Sequence, residues 1–189
     1  MDRGKVPALI VLPGIGGSGE GHWQTLWERS DATMRRFSPP DWDEPQLDEW
    51  CGALQRSVEG AEQPPVLVAH SLGCLLVAHW AARSSSLVAG AFMVAVPDPE
   101  SPQFPSMADS FGAAPAAPLR FPSVVIASTD DPYGSAGYAR RWAEVRGSRF
   151  VNIGAFGHIN AASNVGEWEQ GKVLLNQFCG ELGFEGLRR

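Results

Sequence analysis

Four apolar residues, Val66-Leu67-Val68-Ala69, run straight into His70-Ser71-Leu72-Gly73, and a second apolar run extends from Leu72 to Ala82. The first run has the length of a buried strand, the second that of a buried helix. No ordinary loop separates them, so the chain must turn almost at once from strand to helix, with a serine at the apex. Ala69 and Gly73, two residues before and two after, are small enough to let the backbone close that tightly. A serine so placed sits on a nucleophile elbow. The turn lifts its hydroxyl out of the sheet and sets it at a helix N-terminus, where the N–H of Leu72 can donate to an oxyanion.

The rest of the chain has the rhythm such an elbow needs. Strand-like runs are expected at Ala8–Leu12, Met34–Phe37, Val66–Ala69, Ala91–Val96, Ser123–Ala127 and Phe150–Ile153, with Arg35 and Arg36 interrupting the second. Runs 66–69 and 91–96 are apolar throughout, as central strands covered on both faces would be. Between strands two and three, Leu47, Trp50, Cys51, Leu54 and Val58 follow helical spacing. Tyr138, Trp142 and Val145 mark a later helix. Trp168, Leu175, Phe178 and Leu182 mark the last, with Asn164 and Glu167 spaced as a capping box for it. Strands alternating with helices imply an α/β fold of about six parallel strands with helices on both faces. At 189 residues the chain reads as one domain, residues 1–189. The stretch 97–122, rich in Pro, Ser and Ala, is expected to be a short cap or loop excursion over the C-terminal edge of the sheet.

A serine hydroxyl needs a base. His158, in Phe156-Gly157-His158-Ile159-Asn160, follows the last strand and lies on the edge where Ser71 would emerge. A histidine in turn needs an acid to hold its tautomer. Ser128-Thr129-Asp130-Asp131-Pro132 follows the preceding strand, and Ser, Asp, His is the chain order of α/β-hydrolases. Neighbouring side chains of an extended segment point opposite ways, so one aspartate of the pair is expected to reach His158. Residue types alone leave both open. The first strand ends in Pro13-Gly14-Ile15-Gly16-Gly17-Ser18-Gly19, a small-residue loop where a second oxyanion donor belongs, and the N–H of Ile15 is the candidate.

That loop also matches the G-x-G-x-x-G dinucleotide fingerprint, with Asp41 in place for a ribose. Against that reading, Gly21-His22-Trp23 delays the next helix. His22 is a candidate for the mouth of the site, Trp23 packs inward, His79 reads as structural, and His70 fills the variable position of the elbow.

Composition excludes other classes. The net charge is −6 and the only lysines are Lys5 and Lys172, which argues against a nucleic-acid surface. No apolar stretch is long enough to span a membrane, and the start reads as a first strand rather than a signal peptide. Cys51, Cys74 and Cys179 are odd in number and far apart, which fits free thiols in the cytoplasm. The four histidines form no i, i+4 pair. Neither a metal nor a cofactor is expected.

With these pieces placed, the chain resembles the small serine hydrolases of the YdeN-like family, which includes the retinoblastoma-binding serine hydrolase. The resemblance spans nearly the whole chain. It rests on Pro13-Gly14 with the glycine loop, His22-Trp23, His70-Ser71-Leu72-Gly73, Ser128-Thr129-Asp130-Asp131-Pro132 and Gly157-His158. It implies a compact six-stranded α/β-hydrolase fold. It makes Asp131, the second aspartate, the acid of a Ser71-Asp131-His158 triad, and it raises the prospect of a protein partner. The expected substrate is a small acyl ester, thioester or amide. Ala69 stands where the usual elbow has glycine, and Leu72 where the retinoblastoma-binding member has a smaller residue.

Overall fold

The structure is a computed structural model and describes residues 6–184. Six strands form one parallel sheet: β1 (Leu9–Leu12), β2 (Met34–Arg36), β3 (Val66–His70), β4 (Gly90–Val94), β5 (Ser123–Ala127) and β6 (Arg149–Asn152). Their order is β2-β1-β3-β4-β5-β6, as expected for about six parallel strands. β1, β3, β4 and β5 are buried along their whole length, which is why they read as continuous apolar runs. β2 is an edge strand whose alternation of buried Met34 and exposed Arg35 accounts for the interrupting arginines.

Helices cover both faces. α2 (Leu47–Glu59), α3 (Leu72–Arg83) and α4 (Ala136–Val145) pack on one side, around Trp50, Leu54, Leu75 and Trp142. α1 (Trp23–Ser30) and α5 (Glu169–Glu181) pack on the other, around Trp23, Trp27, Leu175 and Phe178. α3 is apolar nearly all round because it is buried nearly all round.

Three local expectations change. β4 stops at Val94 because Ala95 takes a positive φ of 55° and turns the chain toward the site edge. Val145 faces solvent, and the buried face of α4 is Ala139, Trp142 and Ala143. Asn164 and Glu167 do not cap α5. Gly166 and Trp168 both take positive φ, so the chain bends between them and the helix starts at Glu169 with no side-chain cap. The capping box belongs to Asn160 and Ser163, around a 3-10 turn at Ala161–Ser163.

Segment 97–122 carries a 3-10 helix, Ser106–Phe111, and is tied down by polar contacts. The Ser110 hydroxyl accepts the Leu47 N–H at the start of α2 (3.2 Å) and donates to Pro45 O (3.3 Å). His79 bonds Phe111 O, the structural role foreseen for it. The Arg146 guanidinium donates to the carbonyls of Ala114 (2.9 Å) and Pro115 (2.8 Å).

Candidate active site

Every piece of the site hangs from the C-terminal edge of the sheet. Ser71 leaves β3 with φ 54° and ψ −121°, a conformation outside the ordinary regions for an L-residue. The strain is held from both sides: the Ser71 N–H donates to Val94 O (3.0 Å) and Ser71 O accepts from Cys74 N–H (2.8 Å). Gly73 cannot be anything larger, because a Cβ there would lie 2.2 Å from Leu12 O. That close approach presses the start of α3 against the end of β1, so the loop after β1 arches over Ser71. A Cβ on Gly14 would sit 3.0 Å from Ser71 Cβ and 3.5 Å from Leu72 N. Leu72 opens α3 and Ile15 opens the short 3-10 turn Ile15–Gly17, so neither N–H has an intrahelical carbonyl to pair with.

The loop is held by contacts no sequence motif announces. Gly16 N–H donates to Trp42 O (3.0 Å), and Gly17, at φ 70°, lies so near the Trp42 ring that a Cβ would meet it at 3.0 Å. Arg36, at the end of β2, binds the carbonyls of Gly17 and Ser18, the hydroxyl of Thr25 and the carboxylate of Glu28. Gln24, fully buried, donates to Val68 O (3.0 Å) and accepts the Ser18 hydroxyl (2.7 Å). The dinucleotide alternative finds no geometry here, since α1 begins only at Trp23 and the glycine loop closes on Ser71 and Trp42 instead.

His158 arrives after β6 and presents Nε2 to Ser71 Oγ at 2.8 Å. Its Nδ1 lies 2.9 Å from both carboxylate oxygens of Asp131. Asp131 is buried and accepts Tyr133 N–H as well (2.9 Å). The pair left open by residue type divides cleanly. Asp130 is exposed and turns the other way, accepting the Ser128 hydroxyl (2.7 Å) and the Gly157 N–H (2.7 Å). Those donors hold its carboxyl below the usual range, and they fasten the loop that carries His158. The carbonyl of His158 itself accepts from His70 Nε2 (2.9 Å), and the carbonyl of Ile159 accepts from Trp23 Nε1 (2.9 Å).

His22, His70 and His158 form a contiguous row. The His22 and His70 rings meet edge-on at 4.6 Å between centroids, and His70 and His158 at 4.9 Å. Burial, then the Arg36 guanidinium, then His158 push the His22 imidazole down to about 3. Burial, followed by its two histidine neighbours, puts His70 well below its ordinary value. Both are neutral in the folded protein. Tyr133 completes the wall, its ring 4.6 Å from that of His158.

Ser71 opens into a cavity of about 550 Å³. The glycine loop and His22 form one wall, Asn160 to Ala162 another, and Phe104, Pro105 and Met107 of segment 97–122 a third. Of the residues singled out by pattern, the structure brings Ser71, His158, Asp131, Leu72 and Ile15 to one sheet edge and sets His22 along the same cavity. Pattern missed Arg36, Gln24, Tyr133 and Trp42. The charge interrupting β2 was the one available signal, for Arg36.

A model of the serine hydrolase family matches residues 9–177. Among solved structures the chain is similar to a Pectobacterium atrosepticum protein described as a YdeN-like hydrolase, with 33% identity over 94% of this chain and 92% of that one, at a TM-score of 0.84. The ydeN gene product of B. subtilis matches at 21% identity over 92% and 99% of the two chains, with a TM-score of 0.73. The type II thioesterase BorB of the borrelidin biosynthetic cluster matches at 20% over 97% and 94%, with a TM-score of 0.66. These last two share the fold. No curated protein matches the chain.

Proposed function

The chain is a YdeN-like member of the serine hydrolase family, and on that footing we propose that it cleaves a small carboxylic ester, thioester or amide through an acyl-enzyme. The observation that carries the reading is the continuous relay of Ser71 Oγ, His158 Nε2 at 2.8 Å, and His158 Nδ1 at 2.9 Å from Asp131. Ser71 Oγ attacks the acyl carbonyl while His158 Nε2 takes its proton. Asp131 keeps the Nδ1 proton in place, so Nε2 is the free acceptor, and it stabilises the imidazolium that forms. The N–H groups of Leu72 and Ile15 hold the oxyanion, a role in which each donor is worth about 3 kcal/mol of barrier. As the tetrahedral intermediate collapses, His158 delivers the proton to the leaving oxygen, sulfur or nitrogen. Water then attacks the acyl-Ser71 carbonyl with His158 again as base, releasing the acid and restoring the hydroxyl.

Segment 97–122 acts as a short cap within one catalytic domain. Phe104 and Met107 give the acyl side an apolar wall suited to short chains. Three free cysteines, all buried, favour the cytoplasm as the working compartment. Among the described residues no helix is long and apolar enough to cross a membrane.

Intact-mass analysis after incubation with a fluorophosphonate tests the reading. One adduct is expected on the wild-type protein and none on Ser71→Ala. An unlabelled, folded wild-type protein would remove the acyl-enzyme mechanism.

A further inference from the structure

The two oxyanion donors come from different parts of the chain. Leu72 is set directly by β3 and the elbow, whereas Ile15 sits in a loop that leaves β1 at Leu12 and holds Gly14, Gly16, Gly17 and Gly19. Glycine leaves a backbone many conformations open. The β1–β3 ladder ends at the Leu12–Ala69 pair, so the sheet by itself does not set Ile15 against the elbow. Gln24, on α1, is placed to do so. Its side chain is fully buried and bonds three groups. Nε2 donates to Val68 O of β3 (3.0 Å) and to Leu12 O of β1 (3.4 Å), and Oε1 accepts the Ser18 hydroxyl (2.7 Å). Carbonyls can only accept, so the NH2 group must face the two strands and the amide oxygen must face Ser18.

Ser18 is the far anchor of that loop. It closes the 3-10 turn that Ile15 opens and takes φ 52°, a left-handed conformation that a residue other than glycine keeps only when its surroundings hold it. Gln24 holds its hydroxyl, while Arg36 and Thr25 hold its carbonyl. Arg36 and Trp42 tie the loop to β2 and the segment after it. Among the described residues, Gln24 is the one side chain that hydrogen-bonds both the loop and β3, the strand that carries Ser71. The Leu12 oxygen it binds is also the one that Gly73 of the elbow approaches. A buried, satisfied amide adds little net stability over an apolar side chain of its size, but its directed bonds select one arrangement. We propose that Gln24 is the positioning residue of the oxyanion hole: by bonding β1, β3 and Ser18 together, it sets the Ile15 N–H at its working distance from the Leu72 N–H and Ser71 Oγ. The role rests on the hydrolase reading above, and Gln24 itself touches no substrate.

Acylation and deacylation both pass through an oxyanion, so a displaced donor lowers kcat whichever step is slow. Two variants separate the parts of the contact. Gln24→Met keeps the length of the side chain and removes all three bonds, whereas Ser18→Ala removes only the bond to the loop and leaves the strands alone. With 4-nitrophenyl butanoate, kcat should fall about tenfold to a hundredfold in Gln24→Met and about three- to tenfold in Ser18→Ala, while KM changes less than about threefold. The double variant should be no slower than Gln24→Met, because the Ser18 hydroxyl then has no partner left to lose. An aryl trifluoromethyl ketone, whose carbonyl Ser71 Oγ attacks to form a tetrahedral oxyanion, should bind each variant more weakly by the factor lost in kcat/KM. A core residue with no part in the hole would lower the melting temperature and leave kcat and ketone affinity as they were. Wild-type kcat in folded Gln24→Met would overturn the role. So would a loss of kcat with ketone affinity unchanged, or losses that multiply in the double variant. If Gln24→Met does not fold, Ser18→Ala decides, and wild-type kcat and ketone affinity there count against the proposal. Failure of the hydrolase reading looks different, with no turnover by the wild type and no fluorophosphonate adduct on it.

Discussion

Two adjacent carboxylates do different jobs, and the difference lies in what each touches. Asp131 is buried and faces His158 with both oxygens, while exposed Asp130 bonds the Ser128 hydroxyl and the Gly157 N–H. Asp131→Asn keeps the shape but permits the wrong histidine tautomer, so kcat should fall by about three to four orders of magnitude. Asp130→Ala only loosens the loop that carries His158 and should cost about tenfold at most. Steady-state kinetics on one activated ester checks both, and comparable losses would mean that the assignment of the acid is wrong. Residue types had left this choice open for a physical reason. Which of two neighbours turns inward depends on where Gly157 and His158 lie, and each of those contacts spans 27 residues. Ser71 was legible because its signal is local: an apolar strand, a tight turn and an apolar helix with no space between them.

At the scale of elements, the strands and helices were readable wherever burial was two-sided, since β1, β3, β4 and β5 are buried along their whole length. Legibility failed where backbone conformation overrode pattern. The Asn164–Glu167 spacing resembled a capping box, but positive φ at Gly166 and Trp168 sent the chain elsewhere. It failed also where one element supports another. Arg36 belongs to an edge strand, yet its guanidinium gathers the carbonyls of Gly17 and Ser18 and so holds the loop bearing Ile15. Arg36→Met leaves those carbonyls unpaired and lets the loop drift from Ser71. Its kcat/KM should fall by about ten- to a hundredfold, less than outright loss of an oxyanion donor. Arg35→Met alters an exposed neighbour on the same strand and serves as the control. Equal activity in the two variants would show that the loop holds itself.

At the scale of the whole molecule, the row of buried histidines couples the site to global stability. His22 and His70 are neutral in the folded protein because burial opposes their charge, whereas in the unfolded chain each takes a proton near its ordinary value of 6.5. Below pH 6.5 the unfolded state therefore binds more protons than the folded one, and stability must fall as pH falls. For His22 the loss continues down to about pH 3, where the folded protein also becomes protonated. Each such group contributes a slope of up to about 1.4 kcal/mol per pH unit within its window. Above pH 6.5 neither state carries the extra proton and the two histidines add no slope. Asp130 and Asp41, whose folded carboxyls are held low by hydrogen bonds, act with the same sign but only at more acid pH. The histidine effect is thus separable in the range from about pH 6.5 to about pH 4.5. Urea unfolding at a series of pH values should show wild-type stability declining there, with His22→Asn, which keeps the helix cap and has no titrating ring, declining less steeply. Parallel curves for the two proteins would mean that His22 is protonated in the folded state. The site would then hold a cation beside His158.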